Sequence, residues 1–382
     1  MRVALVHDYI KEYGGAERVL ESLHEIWPEA PIYTTVYLPE FLGPHRKRFV
    51  RWKIIPSRLN GVPFAEKLIS PIRILTPWIF ENWDFTSYDV VIVSATGAYF
   101  PNLIVRKPHT LHICYCHTPP RYLYGYPTAR NWQKSVFGKI VGSIINHSLR
   151  QIDFLASQRP DFFIANSNEV RKRIEKFYRR EAEVIYPPVE ISKIKYQKSI
   201  RQLADKNKKE DYYLTGGRLA RAKRIELAIE ACNRLKLPLK VVGKSFADYG
   251  EELRKIAGPT VEFLGEVPDS ELGELFSQCQ AFIYPAELED FGIMPVEAMS
   301  YGAPVIASRD GGVAESVVDG KTGILFDEYS IEDLIAAIKK IQKLNIKQED
   351  CIKQAKKFSK ARFKKEIRNF VETKFKKHAR TS

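Results

Sequence analysis

The chain has 382 residues, 45% hydrophobic and 28% charged, with a formal net charge of +14, an ordinary globular composition and a length that predicts two domains or more. No run approaches the ~18 consecutive apolar residues of a membrane-spanning helix, and Cys114 and Cys116, the one close pair of cysteines, lack zinc-ribbon spacing, so the cysteines read as reduced thiols. The start, Met-Arg-Val-Ala-Leu-Val-His-Asp, has neither the apolar core nor the cleavage site of a signal peptide, and the expected compartment is the cytoplasm.

The charge is spread unevenly. Residues 1–190 carry 25 Lys and Arg against 18 Asp and Glu, residues 191–352 carry 23 against 26, and residues 353–382 carry 12 against 2. Such a basic excess favours anionic partners: phosphates, nucleic acid or an anionic membrane surface. A solvated basic tail gives the same count. Nucleic-acid binding finds no recognition motif and no aromatics interleaved with the basic residues, so no nucleic-acid partner is expected.

In chain order, "RVALVHDY" predicts a strand, and "AERVLESLHEIW" a helix with Val19, Leu20, Leu23 and Ile26 on one face. The apolar runs "PIYTTVY", "VVIVSA", "TLHICYCH" and "FFIANS" follow, separated by loops or helical patterns. Apolar strands alternating with helices predict a parallel sheet covered on both faces. The pattern stops near Pro187-Pro188, and the Lys-rich stretch at 190–210 reads as a linker. The alternation then restarts. "YYLTGGRL", "LKVVGK", "VEFLGEV", "AFIYPA" and "APVIAS" read as strands, and "RIELAIEACNRL", "ELGELFSQC" and "PVEAMSYG" as helices. "SIEDLIAAIKKIQKL" and the basic 349–377 segment close the chain as helices. Two α/β units are expected to bind a ligand in the cleft between them, at the carboxyl ends of their strands.

Three features belong at those strand ends. Gly14 and Gly15, in "YGGAERVL", precede a helix whose N–H groups can receive a phosphate. A plain turn needs the same residues, and neither the dinucleotide nor the P-loop spacing is present. In "GGRLARAKR", Arg218 and Lys223 follow the first strand of the second unit, where two cations can neutralise a departing diphosphate; Arg221 and Arg224 are expected to face solvent. In "ELEDFGIMPVEAMS", a loop from Glu287 to Gly292 leads to a helix with Pro295 near its first turn. Its N–H donors suit sugar hydroxyls, and Glu297, expected on the first turn, can accept from a ribose. The helix dipole alone would also favour carboxylates there.

The pair Glu289 and Glu297, with Phe291-Gly292 and Pro295 between them, resembles the signature of retaining family-four GT-B glycosyltransferases. Gly14-Gly15, "GRL" with Lys223, "ANS" at 165–167 and "GVAESVVDGKTGILF" match the same family in order, across nearly the whole chain. "HDYIKEYGGAERVL" with "YCHTPPRYLYG" is similar to mannosyltransferases of bacterial surface-polysaccharide assembly.

The resemblance implies an α/β GT-B fold of two Rossmann-like doubly wound domains facing a central cleft. Residues 1–190 would be the acceptor side, 191–210 the linker, 211–355 the nucleotide-sugar domain, and 356–382 a basic helix crossing back to the first domain. Arg218 and Lys223 would hold the donor diphosphate with Gly14 and Gly15, and Glu297 the ribose. Asp290, Phe291, Gly292 and Ile293 would present backbone to the transferred sugar, Glu289 would approach its hydroxyls, and His117 would stand at the reaction centre. Asn166 joins the donor set through the "ANS" match, and Gly243 and Val267 mark strand ends beside the base.

The implied reaction is retaining hexosyl transfer, with mannose from GDP-mannose preferred over UDP-glucose or UDP-N-acetylglucosamine, to a lipid-linked or polysaccharide acceptor. Front-face substitution is expected, with Glu289 as a nucleophile the second route. No Asp-x-Asp element is present, so no metal or other cofactor is expected. A same-fold epimerase or hydrolase, or a non-enzymatic binder of nucleic acid or anionic surfaces, are the competing classes. Residues 63–85, where Phe64, Leu68, Ile72, Leu75, Trp78, Phe80 and Trp83 mix with Lys67 and Arg73, read either as a membrane-facing segment or as core helices.

Overall fold

The structure, a computed structural model, describes residues 1–128, 136–191, 210–246 and 248–381. The expected linker at 191–210 lies, its two ends apart, outside the described residues. The chain divides into two compact units. One gathers Met1–Gly125, Gln133–Pro188 and Ala361–Ser382, the other Val189–Lys360 with Tyr126–Trp132.

The first unit is built on a seven-stranded sheet of β1 (Val3–His7), β2 (Ile32–Thr34), β3 (Ile54–Pro56), β4 (Val90–Ala95), β5 (Leu111–Cys116), β6 (Phe162–Ala165) and β7 (Ala182–Val184). Their order is β3-β2-β1-β4-β5-β6-β7, every pairing parallel. Helices α1 (Gly15–Ile26), α2 (Ala65–Ile72), α3 (Thr76–Glu81), α4 (Val136–Ser157) and α5 (Asn168–Tyr178) belong to this unit. The central strands bury both faces. Ala4 and Val6 of β1 join one apolar cluster, while Val3 and Leu5 join another, as a strand's two-residue period requires.

The second unit holds β8 (Tyr213–Gly216), β9 (Leu239–Val242), β10 (Val261–Gly265), β11 (Phe282–Tyr284), β12 (Val305–Ser308) and β13 (Gly323–Phe326). Their order is β10-β9-β8-β11-β12-β13, again parallel throughout. Its helices are α6 (Ile225–Leu235), α7 (Tyr249–Ile256), α8 (Asp269–Gln278), α9 (Ile293–Ser300), α10 (Ile331–Lys343) and α11 (Gln348–Lys356). The last helix, α12 (Lys360–Thr381), returns to the first unit from Ala361 onward. Its Phe363, Ile367, Phe370 and Val371 lie among the buried residues that include Val3, Leu5 and Ile92. Their spacing puts them on one helical stripe, so the basic residues of this helix ride on an apolar anchor, each fully buried member contributing about 1.5–3 kcal/mol.

Both sheets reverse their strand order at one place, between β1 and β4 in the first and between β8 and β11 in the second. In open α/β sheets, ligands bind beyond the carboxyl ends of the strands flanking that reversal. Those two strand pairs position the site residues.

Candidate functional site

In the second unit, β8 ends in a glycine turn. Gly217 and Gly243, just past the ends of β8 and β9, have φ of +119° and +126°, and a Cβ on Gly243 would fall 1.7 Å from the Gly217 carbonyl oxygen. A side chain there would push the two strand ends apart. A Cβ on Gly217 would meet Met294 Sδ at 3.1 Å, so this turn lies against the first turn of α9. Gly243 N also donates to the Gly265 carbonyl at 2.7 Å, joining the end of β9 to the end of β10; half-buried Val267 follows two residues on.

Beside the turn, Lys223 Nζ donates to Glu289 Oε2 (2.5 Å) and to the Tyr284 hydroxyl (2.8 Å), while that hydroxyl donates to the same carboxylate (3.2 Å). Tyr284 is the last residue of β11, so the trio stands at the reversal of strand order. The Lys223 and Glu289 side chains retain 20% and 14% of their exposure, so both stay within reach of a ligand. Arg218 is exposed, with its guanidinium 5.5 Å from the centre of the Phe246 ring. The two expected diphosphate-binding cations therefore have separate anchors.

The loop carrying Glu289 is pinned along its length. Glu287 N donates to the Ala222 carbonyl (2.9 Å), and Leu288 N to the Tyr329 hydroxyl (2.9 Å). Gly312 N donates to the Glu289 carbonyl (2.7 Å). Phe291 is buried, its ring 5.4 Å from Phe358, and Gly292 (φ +83°) caps α9. Asp290, just before Phe291, is half-buried. A loop held this way presents its backbone in one conformation, as recognition of sugar hydroxyls demands.

Two expectations are corrected here. Glu297 does not lie on the first turn of its helix: the left-handed Gly292 ends the loop early, α9 begins at Ile293, and Glu297 is its fifth residue, half-buried. Arg224 does not face solvent freely. Its guanidinium bonds Glu226 (2.6 Å) and Glu287 (3.0 Å), bracing the base of the Glu289 loop. Arg221 is likewise only partly exposed and pairs with Glu252.

In the first unit, Gly14 precedes α1, and its N–H donates to Glu17 Oε2 at 2.8 Å; Gly15 opens the helix and is exposed. His117 directly follows β5 and is buried, with Nε2 2.9 Å from Ser94 Oγ. Burial, helped by neighbouring His7, pushes its pKa down to about 3, so the imidazole is neutral near pH 7. Asn166 follows β6; it is buried, and its Oδ1 has no hydrogen-bond partner among the described residues.

His7, the last residue of β1, and Asp8, just after it, stand at this sheet's own reversal with Ser94 of β4; none of the three is among the site residues expected from the sequence. Asp8 Oδ2 accepts from Thr96 N (3.1 Å) and Ala98 N (3.2 Å), fixing the turn after β4. Burial lifts the Asp8 carboxyl above its ordinary range, with His7 and these donors opposing. Buried Arg173 of α5 reaches Thr118 Oγ1 at 3.1 Å and steadies the residue after His117. A signal existed: two polar residues at the end of an otherwise apolar strand.

Two family models match the chain in tandem, Glycosyltransferase Family 4 over residues 13–193 and Glycosyl transferases group 1 over residues 197–358. The chain belongs to the GT4 family of GT-B glycosyltransferases. Among curated relatives, alpha-1,3/1,6-mannosyltransferase ALG2 of Kluyveromyces lactis is 25% identical over 371 residues, covering 83% of this chain and 71% of that protein. ALG2 of Candida glabrata is 28% identical over 371 residues, covering 83% and 78%. The sulfoquinovosyl transferase SQD2 of Arabidopsis thaliana is 24% identical over 348 residues, covering 87% of this chain and 61% of the relative. Of solved structures, Anabaena HepE in complex with UDP aligns with a TM-score of 0.67 at 18% identity, covering 98% of this chain and 100% of that one.

For this family member, residues 63–85 divide between the two expectations. Ile72 and Phe80 are buried, but Phe64, Leu75 and Trp78 are 66%, 46% and 61% exposed. On α4, Phe154 and Leu155 are exposed beside His147, Arg150 and Gln151, around a surface groove. No helix among the described residues is long and apolar enough to cross a membrane.

Proposed function

We propose that this glycosyltransferase transfers a hexose with retention, mannose from GDP-mannose being the preferred donor, to a glycan acceptor. The observation that carries the reading is the Lys223–Tyr284–Glu289 trio at the strand-order reversal of the second unit. Cleavage of a sugar–phosphate bond leaves positive charge on the ring and negative charge on the diphosphate. Lys223 supplies a fixed cation for the diphosphate, and Glu289, its partner, a carboxylate for the sugar side. Holding each other in place, the two meet the donor already oriented. Arg218 adds a second cation from its own anchor, and Glu297 takes the ribose.

Mannose is favoured by the likeness to the ALG2 mannosyltransferases. A uridine donor is the second reading, favoured by the UDP held in HepE. The proposal routes no step through a metal, because Lys223, Arg218 and backbone N–H groups carry the charge stabilisation. The acceptor is proposed to be lipid-linked, met at an anionic membrane surface by the exposed Phe64, Leu75 and Trp78.

A thermal-shift panel with GDP-mannose, UDP-glucose, UDP-N-acetylglucosamine and the free nucleotides tests the donor. The expected result is stabilisation by the GDP compounds. A response to uridine compounds alone discards the mannosyl reading in favour of the second. Product anomeric configuration, read by NMR, must match that of the donor.

A further inference from the structure

Three buried side chains connect the glycine turn of the first unit to His117. Gly14 N donates to Glu17 Oε2 at 2.8 Å, and Glu17 Oε1 lies 3.7 Å from His7 Nε2. His7 Nδ1 is 3.1 Å from Ser94 Oγ, and Ser94 Oγ is 2.9 Å from His117 Nε2. His7 and Ser94 are fully buried, Glu17 is 5% exposed and His117 9%. The contacts come from register: His7 and Ser94 are paired residues of β1 and β4, and His117 follows β5.

We propose that Glu17, His7 and Ser94 form a relay that sets the tautomer of His117, leaving Nδ1 as a bare acceptor for a sugar hydroxyl. The proposal rests on the reading of His117 as a residue at the sugar.

A serine hydroxyl has one proton, so between two imidazole nitrogens Ser94 gives to one and accepts from the other. The two rings are thereby coupled. If His7 carries its proton on Nδ1, Ser94 gives to His117 Nε2, and His117 must be protonated on Nδ1. If His7 carries it on Nε2, Ser94 gives to His7, accepts from His117 Nε2–H, and leaves His117 Nδ1 bare. Glu17 decides between them. Gly14 N holds one of its oxygens and the other faces His7 Nε2, where a carboxylate attracts an N–H and repels a lone pair. No hydrogen bond closes at 3.7 Å, and the buried His7 Nε2 has no other partner among the described residues. In surroundings this dry, the field of the carboxylate still favours the proton on Nε2. Such outer residues commonly fix the orientation and tautomer of a working histidine.

Glu17, His7 and Ser94 are positioning residues; none of them is assigned contact with substrate. The arrangement also gives the glycine turn a second task. Gly14 holds Glu17 in place, so the turn assigned to the donor also sets the chemistry of His117.

The test is the long-range proton–nitrogen NMR spectrum of protein labelled with nitrogen-15 at histidine, with His117 assigned by its loss in His117→Gln. The wild type is expected to show a protonated Nε2 and a bare Nδ1. In Glu17→Gln, the amide donates where the carboxylate repelled a lone pair, and the His117 pattern is expected to reverse or become mixed. Ser94→Ala uncouples the rings and is expected to lower kcat about 10-fold or more, while Ser94→Thr, which keeps the hydroxyl, retains both pattern and rate. A protonated Nδ1 on wild-type His117, a doubly protonated His7, or an unchanged pattern in Glu17→Gln overturns the relay. The spectrum needs no substrate. A wrong tautomer in an active enzyme sinks the relay alone, and a correct tautomer in a chain that takes no nucleotide sugar sinks the proposed function alone.

Discussion

The two reversals of strand order carry opposite electrostatics. Beyond β1 and β4, the polar groups are sealed in: His7, Asp8 and Ser94 have no exposure, and burial moves both Asp8 and His117 away from their ordinary ionisation. Beyond β8 and β11 the groups are ionic, in pairs, and partly wet, as Lys223–Glu289 and Arg224–Glu287 show. The difference follows from what each place is asked to do. On the proposed readings, a buried relay fixes protons, and a mostly buried ion pair keeps charge ready for a charged ligand. The first contributes shape and tautomer at a cost in desolvation; the second is screened only in part, because the Lys223 and Glu289 side chains keep just 20% and 14% of their exposure, so removing one partner strands the other.

The largest test of that contrast removes charge from the second unit. Lys223→Ala and Glu297→Ala are expected to lower kcat/KM for transfer by about 10²–10³-fold; Lys223→Ala is also expected to lower Tm without unfolding the chain, because it strands the mostly buried Glu289 carboxylate. A variant that keeps its activity, or that unfolds, breaks the comparison.

A second test bends the loop that holds Glu289. Gly311 has φ +83°, and a Cβ there would lie 2.6 Å from the backbone N and O of Glu289. Gly311→Ala should cost roughly 1–3 kcal/mol of stability and weaken donor binding, read by denaturant midpoint and by titration. Gly320, φ +74° with nothing within 4 Å of its Cβ position, is the control: Gly320→Ala should lose some stability and leave donor affinity alone. Equal donor affinities in the two variants would show that loop position is unimportant.

The third test is pH. Burial pushes Asp153 up to about 7 against hydrogen bonds from Tyr124 (2.7 Å) and Tyr178 (3.1 Å). A carboxyl raised on folding binds its proton more tightly in the folded state, so it removes stability as pH rises from about 4 to about 7. His117, lowered to about 3, does the reverse, adding stability as pH rises from about 3 to about 6.5. Asp153→Asn should therefore make the unfolding midpoint climb more steeply with pH between 4 and 7 than it does in the wild type. Parallel curves would remove Asp153 from the account.

The smallest effect is expected at the surface. Trp78→Ser, at a residue 61% exposed, should change stability by no more than about 0.5 kcal/mol while reducing co-sedimentation with anionic vesicles. Undiminished sedimentation would take this residue out of any membrane contact.

Much of this was legible in the sequence for a physical reason. Buried parallel strands must be apolar on both faces, so "VVIVSA" and "APVIAS" announce themselves. Glycines at strand ends and the Glu289–Glu297 spacing are local patterns, and local patterns survive without a fold. The start of α9 was harder: a proline near a first turn suggested Pro295, but a left-handed Gly292 had already begun the helix, and Glu297 moved back by a turn. Arg224 gave no local sign of its partner, because Glu287 is 63 residues away.

By itself, then, the order of residues determined two parallel α/β units and the family signature. Tertiary structure decided who meets whom. His7, Ser94 and His117 are separated by 87 and 23 residues, and only strand register brings their nitrogens and hydroxyl into line. Lys223 and Glu289 are 66 residues apart and meet because the loop after β8 and the loop after β11 emerge beside each other. Hydrogen bonds reach about 3 Å, and no periodicity in a sequence specifies a separation that short across that many residues.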